Sequence, residues 1–151
     1  MIIWRKIFVL QHYHNRDCIE LVIRELESNP TFLALSGEKQ REYFLKIDKH
    51  AEFIKYDYES NLAGFIACYC NDYESKKAFI TLVLVDHKYR GLGISKRMFS
   101  QLFTFLKNKG FYLCSLEVKL DNEPALNLYK ALGFEVFETS DKNYTTMCIK
   151  L

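Results

Sequence analysis

The chain is organised around the stretch from Ile80 to Arg97, which sets a strand, a glycine turn and a helix in direct succession. Ile80-Thr81-Leu82-Val83-Leu84-Val85 is an apolar, β-branched run. It ends in a short polar turn, passes through Arg90-Gly91-Leu92-Gly93 and enters an amphipathic helix at once. A helix start leaves backbone N–H groups unpaired and carries partial positive charge. Glycines there let another backbone or a phosphate come close. Lys88, Arg90, Lys96 and Arg97 crowd the same point, although cations at a helix N-terminus oppose the macrodipole by roughly 0.3–1 kcal/mol each. The combination points to an anion site, and solvated basic side chains beside an ordinary turn are the plain alternative. A dinucleotide fingerprint is excluded, because its third glycine would fall where Lys96 stands. The segment is not a Walker loop either.

The 151 residues suit one domain, spanning 1–151, with a sizeable core. A net charge of +2 and the lack of a long basic run argue against a general nucleic-acid binder, so an anionic partner should be small and locally held. Five cysteines, Cys18, Cys68, Cys70, Cys114 and Cys148, include no C-x-x-C pair and no metal-ligand spacing. Reduced, mostly buried thiols in a cytoplasmic protein are expected. Trp4, Arg5 and Lys6 interrupt the apolar N-terminus, so no signal peptide is evident, and no stretch is apolar enough to span a membrane.

Along the chain, Ile2 to Gln11 reads as a strand. Asn15 or Asp17 can cap a helix, Asp17 with Glu20 fitting a capping box, and the helix face is Ile19, Val22, Ile23 and Leu26, stopped by Asn29-Pro30. Ser36 caps a second helix to about Lys49, with Phe44 and Ile47 inward. Strands follow at 52–58, 62–70 and 78–85, the first two joined by a turn at Glu59-Ser60-Asn61. The helix after the glycine turn presents Ile94, Met98, Leu102, Phe105 and Leu106, widened by Phe99 and Phe103, and ends at Gly110. A strand at 111–118 precedes a short helix capped around Asn122, with Pro124 in its first turn and Gly133 at its end. Strands at 134–137 and 144–149 close the chain. The order β-α-α-β-β-β-α-β-α-β-β predicts an α/β fold: a mixed, mostly antiparallel twisted sheet with helices on both faces. The strands at 78–85 and 111–118 should be parallel.

Two blocks resemble a known family. Val85-Asp86-His87-Lys88-Tyr89-Arg90-Gly91-Leu92-Gly93-Ile94-Ser95 resembles the acyl-CoA-binding motif of the GNAT superfamily of N-acetyltransferases (Arg or Gln, two residues, Gly, one residue, Gly or Ala). Leu116-Glu117-Val118, then Asn122-Glu123-Pro124-Ala125-Leu126-Asn127-Leu128-Tyr129-Lys130-Ala131-Leu132-Gly133-Phe134, resembles that family's second block. The specific likeness covers about residues 78–137, and the element order extends it to the whole chain. It implies acetyl-CoA as donor and no metal. Arg90, Gly91, Leu92, Gly93, Ile94 and Ser95 would hold the pyrophosphate through backbone N–H groups. Val83, Leu84 and Val85 would offer main-chain hydrogen bonds to the pantetheine arm. Asn122 would support the cofactor side, and Tyr129 would protonate the leaving thiolate. The chain departs from the pattern at Ser95, at His87 in place of a frequent proline, and at Thr81, where many members carry a glutamate base.

Acyl transfer to an amine needs a base for the amine, a donor for the oxyanion and an acid for the thiolate. With Thr81 unable to act as base, Glu117 is the first candidate, directly or through a water, against a plain exposed strand glutamate. His87 is the runner-up, against a surface turn histidine. A backbone N–H near Val85 would serve the oxyanion. Tyr129 can also be read as core packing, and Cys114 as a core thiol rather than a nucleophile. Tyr56, Asp57, Tyr58, Tyr69, Asp72, Tyr73 and Glu74 offer aromatic walls and carboxylates for a cationic amine, or a solvated hairpin face. The expected activity is direct acetyl transfer to a primary amine of a small metabolite or amino sugar. The alternatives are a protein N-terminal acetyltransferase, a catalytically idle acyl-CoA-binding or regulatory module, and a nucleotide in place of CoA. Neither nucleic acid nor membrane is expected as a partner, and a homodimer is among the assemblies open to the chain.

Overall fold

The structure, a computed structural model, describes residues 10–139 and 142–151. The strand expected at 2–11 lies outside the described residues except for Leu10 and Gln11, which are helical and turn rather than extended. Two helices, α1 (Arg16–Ser28) and α2 (Glu38–His50), lead into a meander of β1 (Glu52–Tyr58), β2 (Asn61–Tyr69) and β3 (Lys77–Val85). A 3-10 turn at His87–Tyr89 and α3 (Ile94–Asn108) connect β3 to β4 (Leu113–Lys119). The chain then runs through α4 (Glu123–Leu132), β5 (Glu135–Glu138) and β6 (Tyr144–Lys150). Strand order across the sheet is β1-β2-β3-β4-β6-β5, and β3–β4 is the parallel pair. One apolar cluster lies under α3 and α4, with Met98, Phe99, Leu102 and Leu106 at its centre. The other lies under α1 and α2, with Ile19, Val22, Phe44 and Ile47. Helices therefore cover both faces of a mostly antiparallel mixed sheet, the arrangement expected from the element order.

A bulge in the middle of β3 decides where the sheet opens. Ala67 of β2 stands opposite Leu82, and Cys68 stands opposite Ile80, so Thr81 is the extra residue. One inserted residue reverses which side chains face which side. Ala78 and Ile80 point to the α3/α4 core, whereas Leu82 and Leu84 point to the α1/α2 core. Pairing between β3 and β4 ends at the same place, at Ile80↔Leu116. Strand β4 stays paired with β6 as far as Lys119↔Tyr144. Beyond the bulge, residues 81–85 and 117–119 diverge, and a cleft opens between them.

Two local expectations change. Of the two cap positions expected for α1, Asn15 is the one the helix starts from, without a side-chain cap, and the capping box at Asp17 is not formed: Asp17 instead accepts from the Cys18 N–H at 2.9 Å and pairs with Lys55 at 3.0 Å. The start of α1 is held by Asp48 of α2, whose carboxylate accepts from the N–H groups of His14 (2.9 Å) and Asn15 (2.8 Å). The second helix starts after Gly37, with no side-chain cap from Ser36. At α4 the expectation holds: Asn122 Oδ1 accepts from the Ala125 N–H at 3.3 Å, and Gly133 ends the helix at φ +103°.

Candidate active site

The glycine loop is built from buried carboxylates outward. Asp86 continues the pairing with β2, donating its N–H to Ala63 O at 2.7 Å. Its carboxylate then caps the 3-10 turn by accepting from the Lys88 N–H at 3.1 Å. Gly91 and Gly93 take left-handed φ values of +80° and +75°, and α3 starts at Gly93 with no side-chain cap. The first-turn N–H groups of α3 are thus left open to a ligand. Open space surrounds both glycines where a side chain would stand.

The four basic side chains at this point are not a free positive surplus. Arg90 turns back, with Nη2 donating to Glu25 at 2.9 Å and Nε donating to Val85 O at 3.2 Å. Arg97 donates to the Tyr56 hydroxyl at 2.8 Å, and Lys88 lies over the Tyr89 ring. Lys96 is exposed, without a partner among the described residues. What this turn offers an anion is therefore backbone N–H groups rather than four free cations.

Strand geometry identifies which main-chain groups border the cleft. Asp86 donates toward β2, and successive residues alternate. Leu84 faces β2 as well, and its carbonyl crowds Gly64 there: a Cβ on Gly64 would sit 2.7 Å from Leu84 O. The amides of Val83 and Val85 point the other way, into the cleft. The Val85 carbonyl is already taken by Arg90. Of the three residues expected to serve the pantetheine arm, Leu84 is turned away, and Val83 N–H, Val83 C=O and Val85 N–H remain.

Tyr129 and Glu117 lie on opposite sides of the sheet. Tyr129 belongs, with Val83, Val85, Leu116 and Val118, to the apolar cluster on the α3/α4 side. Its ring lies 5.9 Å from Phe99 and 5.8 Å from Phe134. Burial pushes its hydroxyl up to about 12, and that hydroxyl has no partner among the described residues. Glu117 alternates with the buried Leu116 and Val118, so it projects to the α1/α2 side, where it is exposed beside the cleft. Thr81 shares a hydroxyl–hydroxyl contact of 2.9 Å with Tyr43, which donates to Thr81 O at 3.1 Å. Burial raises Tyr43 to about 12.

The remaining candidates scatter. His87 is exposed in the 3-10 turn, and Cys114 is fully buried. Ser95 lies in the first turn of α3, and the Asn122 side chain is occupied as the α4 cap. The residues expected around the amine entrance do not converge. Tyr56 and Tyr58 lie on the α3 side, Tyr58 against Tyr89 at 5.4 Å. Asp57 is exposed on edge strand β1. Asp72, Tyr73 and Glu74 sit at the far end of β3, where β3 and β4 are still paired at Lys77↔Leu113, and Tyr73 stacks on Phe111. Tyr69 packs on the same side as Tyr43 and Leu82. Sequence reading missed Tyr43 and the buried Glu25. The spacing Cys18, Leu21, Val22, Glu25 places that charge on the inner face of α1, which was the available signal.

The Acetyltransferase (GNAT) family matches over residues 10–134, and the chain belongs to that family. An uncharacterized N-acetyltransferase of Methanocaldococcus jannaschii is 29% identical over 79% of this chain and 55% of its own length. An N-alpha-acetyltransferase of Caenorhabditis elegans is 31% identical over 61% of this chain and 53% of its own. The chain thus spans about half the length of these curated relatives. The PaiA N-acetyltransferase of Thermoplasma acidophilum, solved in complex with coenzyme A, superposes with a TM-score of 0.63 at 24% identity, over 76% of this chain and 70% of that one.

Proposed function

We propose that the chain is a single-domain, cytoplasmic N-acetyltransferase that moves an acetyl group from acetyl-CoA directly to a primary amine. The carrying observation is the cleft at the Thr81 bulge, with open main-chain groups on its β3 edge, Tyr129 on one side of the sheet and Glu117 on the other. The α3 N-terminus and the Gly91–Gly93 turn suit a pyrophosphate. Glu117 takes the proton of the attacking amine, directly or through one water. The amine nitrogen bonds to the acetyl carbon, the carbon–sulfur bond breaks, and Tyr129 gives its hydroxyl proton to the departing thiolate. Its raised pKa suits it to arrive protonated.

A small metabolite or amino sugar is the acceptor class we favour; a protein N-terminus is the second reading, supported by the N-alpha-acetyltransferase relative. The Tyr43–Thr81 hydroxyl pair, standing where many family members carry glutamate, is what favours an idle CoA-binding module instead. Release of free thiol from acetyl-CoA across an amine panel separates these readings. Turnover that falls at least tenfold in Glu117→Gln and in Tyr129→Phe supports the transferase. Tight acetyl-CoA binding with no turnover of any amine or peptide supports the idle module. Preferential binding of ATP over acetyl-CoA overturns the donor assignment.

A further inference from the structure

The Glu117 side of β4 continues into a second feature. On this face Glu117 is followed by Lys119, and their register partners on β6 are Thr146 and Tyr144. Same-face neighbours on a strand lie about 6.6–6.8 Å apart, so Lys119 stands one such step beyond the proposed base. Its ammonium donates to Thr31 O, in the connection between α1 and α2, at 3.3 Å. That exposed contact lays the side chain across the face, toward the α1–α2 connection. Beside it opens a cleft of about 380 Å³ lined by Lys119, Leu120, Asp121, Lys142, Asn143 and Tyr144. The volume is that of a small-molecule site.

Among the described residues the cleft is lined by two ammonium groups, Lys119 and Lys142, and one carboxylate, Asp121, and neither Lys142 nor Asp121 forms an ion pair. A concave site with surplus cations concentrates anions. A bare alkyl amine or a polyamine, itself cationic, would meet repulsion there, whereas an acceptor with a negative group at its far end would meet two lysines. Distance fits the same assignment: an amine nitrogen at Glu117 leaves roughly one two-residue strand step to the cleft, the span of a few carbon–carbon bonds.

We infer that the acceptor is an amine carrying a carboxylate or phosphate a few bonds from its nitrogen, with the anionic group held between Lys119 and Lys142 while the amine reaches Glu117. This rests on the acetyltransferase reading and names the substrate class of that same site. The anion can belong to a free amino acid or amino phosphate, or to an acidic side chain near the start of a peptide.

The test compares matched acceptors of equal length ending in a carboxylate, a phosphate, a neutral amide or a second amine, with an acidic and an amidated peptide as separate arms. The expected result is kcat/KM at least tenfold higher for the anionic members than for the neutral amide, carried by KM. Lys119→Ala and Lys142→Ala should each lower the anionic-to-neutral ratio at least fivefold, and Lys119→Glu should bring it to one or below. Preference only among the free compounds, or only among the peptides, identifies the source. Equal turnover of anionic and neutral acceptors, or an unchanged ratio in all three variants, overturns the inference and leaves the transferase intact. If no amine is acetylated, the transferase reading fails, and calorimetry of the same acids on CoA-saturated protein decides the site. Binding that weakens at least fivefold in Lys119→Ala and Lys142→Ala supports it; no binding overturns it.

Discussion

Glu25 in α1 accepts a hydrogen bond from Arg90 of the glycine loop at 2.9 Å, although 65 positions separate them in the chain. A second pair crosses it: Arg24, the residue before Glu25, reaches Asp86 at 3.4 Å. Glu25 and Asp86 are the buried carboxylates of the described residues, 9% and 7% exposed. Each thus has an arginine partner from the other element. Arg90 also caps the Val85 carbonyl on the cleft edge. The last turn of α1 therefore sets the position of both the loop and the end of β3.

Loosening this contact should act on the donor site. Glu25→Gln keeps the shape and removes the charge. We expect acetyl-CoA affinity to fall about three- to tenfold, or roughly 1 kcal/mol, with a smaller change in kcat. Arg90→Ala should cost more stability, about 1–3 kcal/mol, because it leaves a buried carboxylate unpaired. Calorimetry with coenzyme A and chemical denaturation measure the two effects. Unchanged affinity in both variants would show that α1 does not position the loop.

Tyr129→Phe separates chemistry from packing. The ring stays in its aromatic cluster with Phe99 and Phe134, and among the described residues the hydroxyl has no partner to lose. Stability should change by less than about 0.5 kcal/mol. Loss of a positioned acid should lower kcat about a hundredfold while leaving acetyl-CoA affinity in place. A kcat within twofold of wild type would remove Tyr129 from the mechanism.

The turns and caps around the glycine loop and α4 were legible because their signals are short-range. The glycine turn, the Asn122 cap and the Gly133 stop each lie within a few residues of what they control. The bulge was not legible. Ala78 to Val85 is apolar at nearly every position, so there is no alternation whose phase could slip. That Ile80 and Leu82 face opposite cores is fixed by pairing with β2 and by the departure of β4. The faces of the acceptor candidates were not legible for a related reason: a strand tyrosine reads the same whichever face it takes. Tyr56 and Tyr58 turn toward α3, while Tyr43 reaches Thr81 from a helix 38 positions away.

Burial of tyrosines predicts how stability responds to alkali. Tyr43 and Tyr129 are raised from 10.0 to about 12, in each case chiefly by burial. Below pH 10 both are protonated, folded or unfolded, and contribute no pH dependence. Between pH 10 and pH 12 the unfolded chain loses these protons first, so stability falls as pH rises. The denaturation midpoint should therefore be flat from pH 8 to 10 as far as these groups act, then drop. In Tyr43→Phe and Tyr129→Phe the drop should be shallower, and an identical alkaline profile in the double variant would refute the assignment.

Gly64 should be the least replaceable residue of β2. It lies opposite Val85, where an added Cβ would come within 2.7 Å of Leu84 O and 3.2 Å of both Val85 Cα and Met98 Sδ. The methionine sulfur can move aside, since its side chain is flexible. The Leu84 carbonyl cannot, because it belongs to the strand that carries Val83 and Val85 to the cleft. Gly64→Ala must therefore push β3 away from β2, toward the space the donor would occupy. We expect a loss of about 1–3 kcal/mol and a melting temperature lower by roughly 3–12 °C. Acetyl-CoA affinity should fall at least tenfold even at temperatures where the protein is fully folded. Circular dichroism melts and calorimetry at low temperature read the two effects separately. A variant that loses stability yet binds acetyl-CoA as wild type does would show that the end of β3 does not set the donor site.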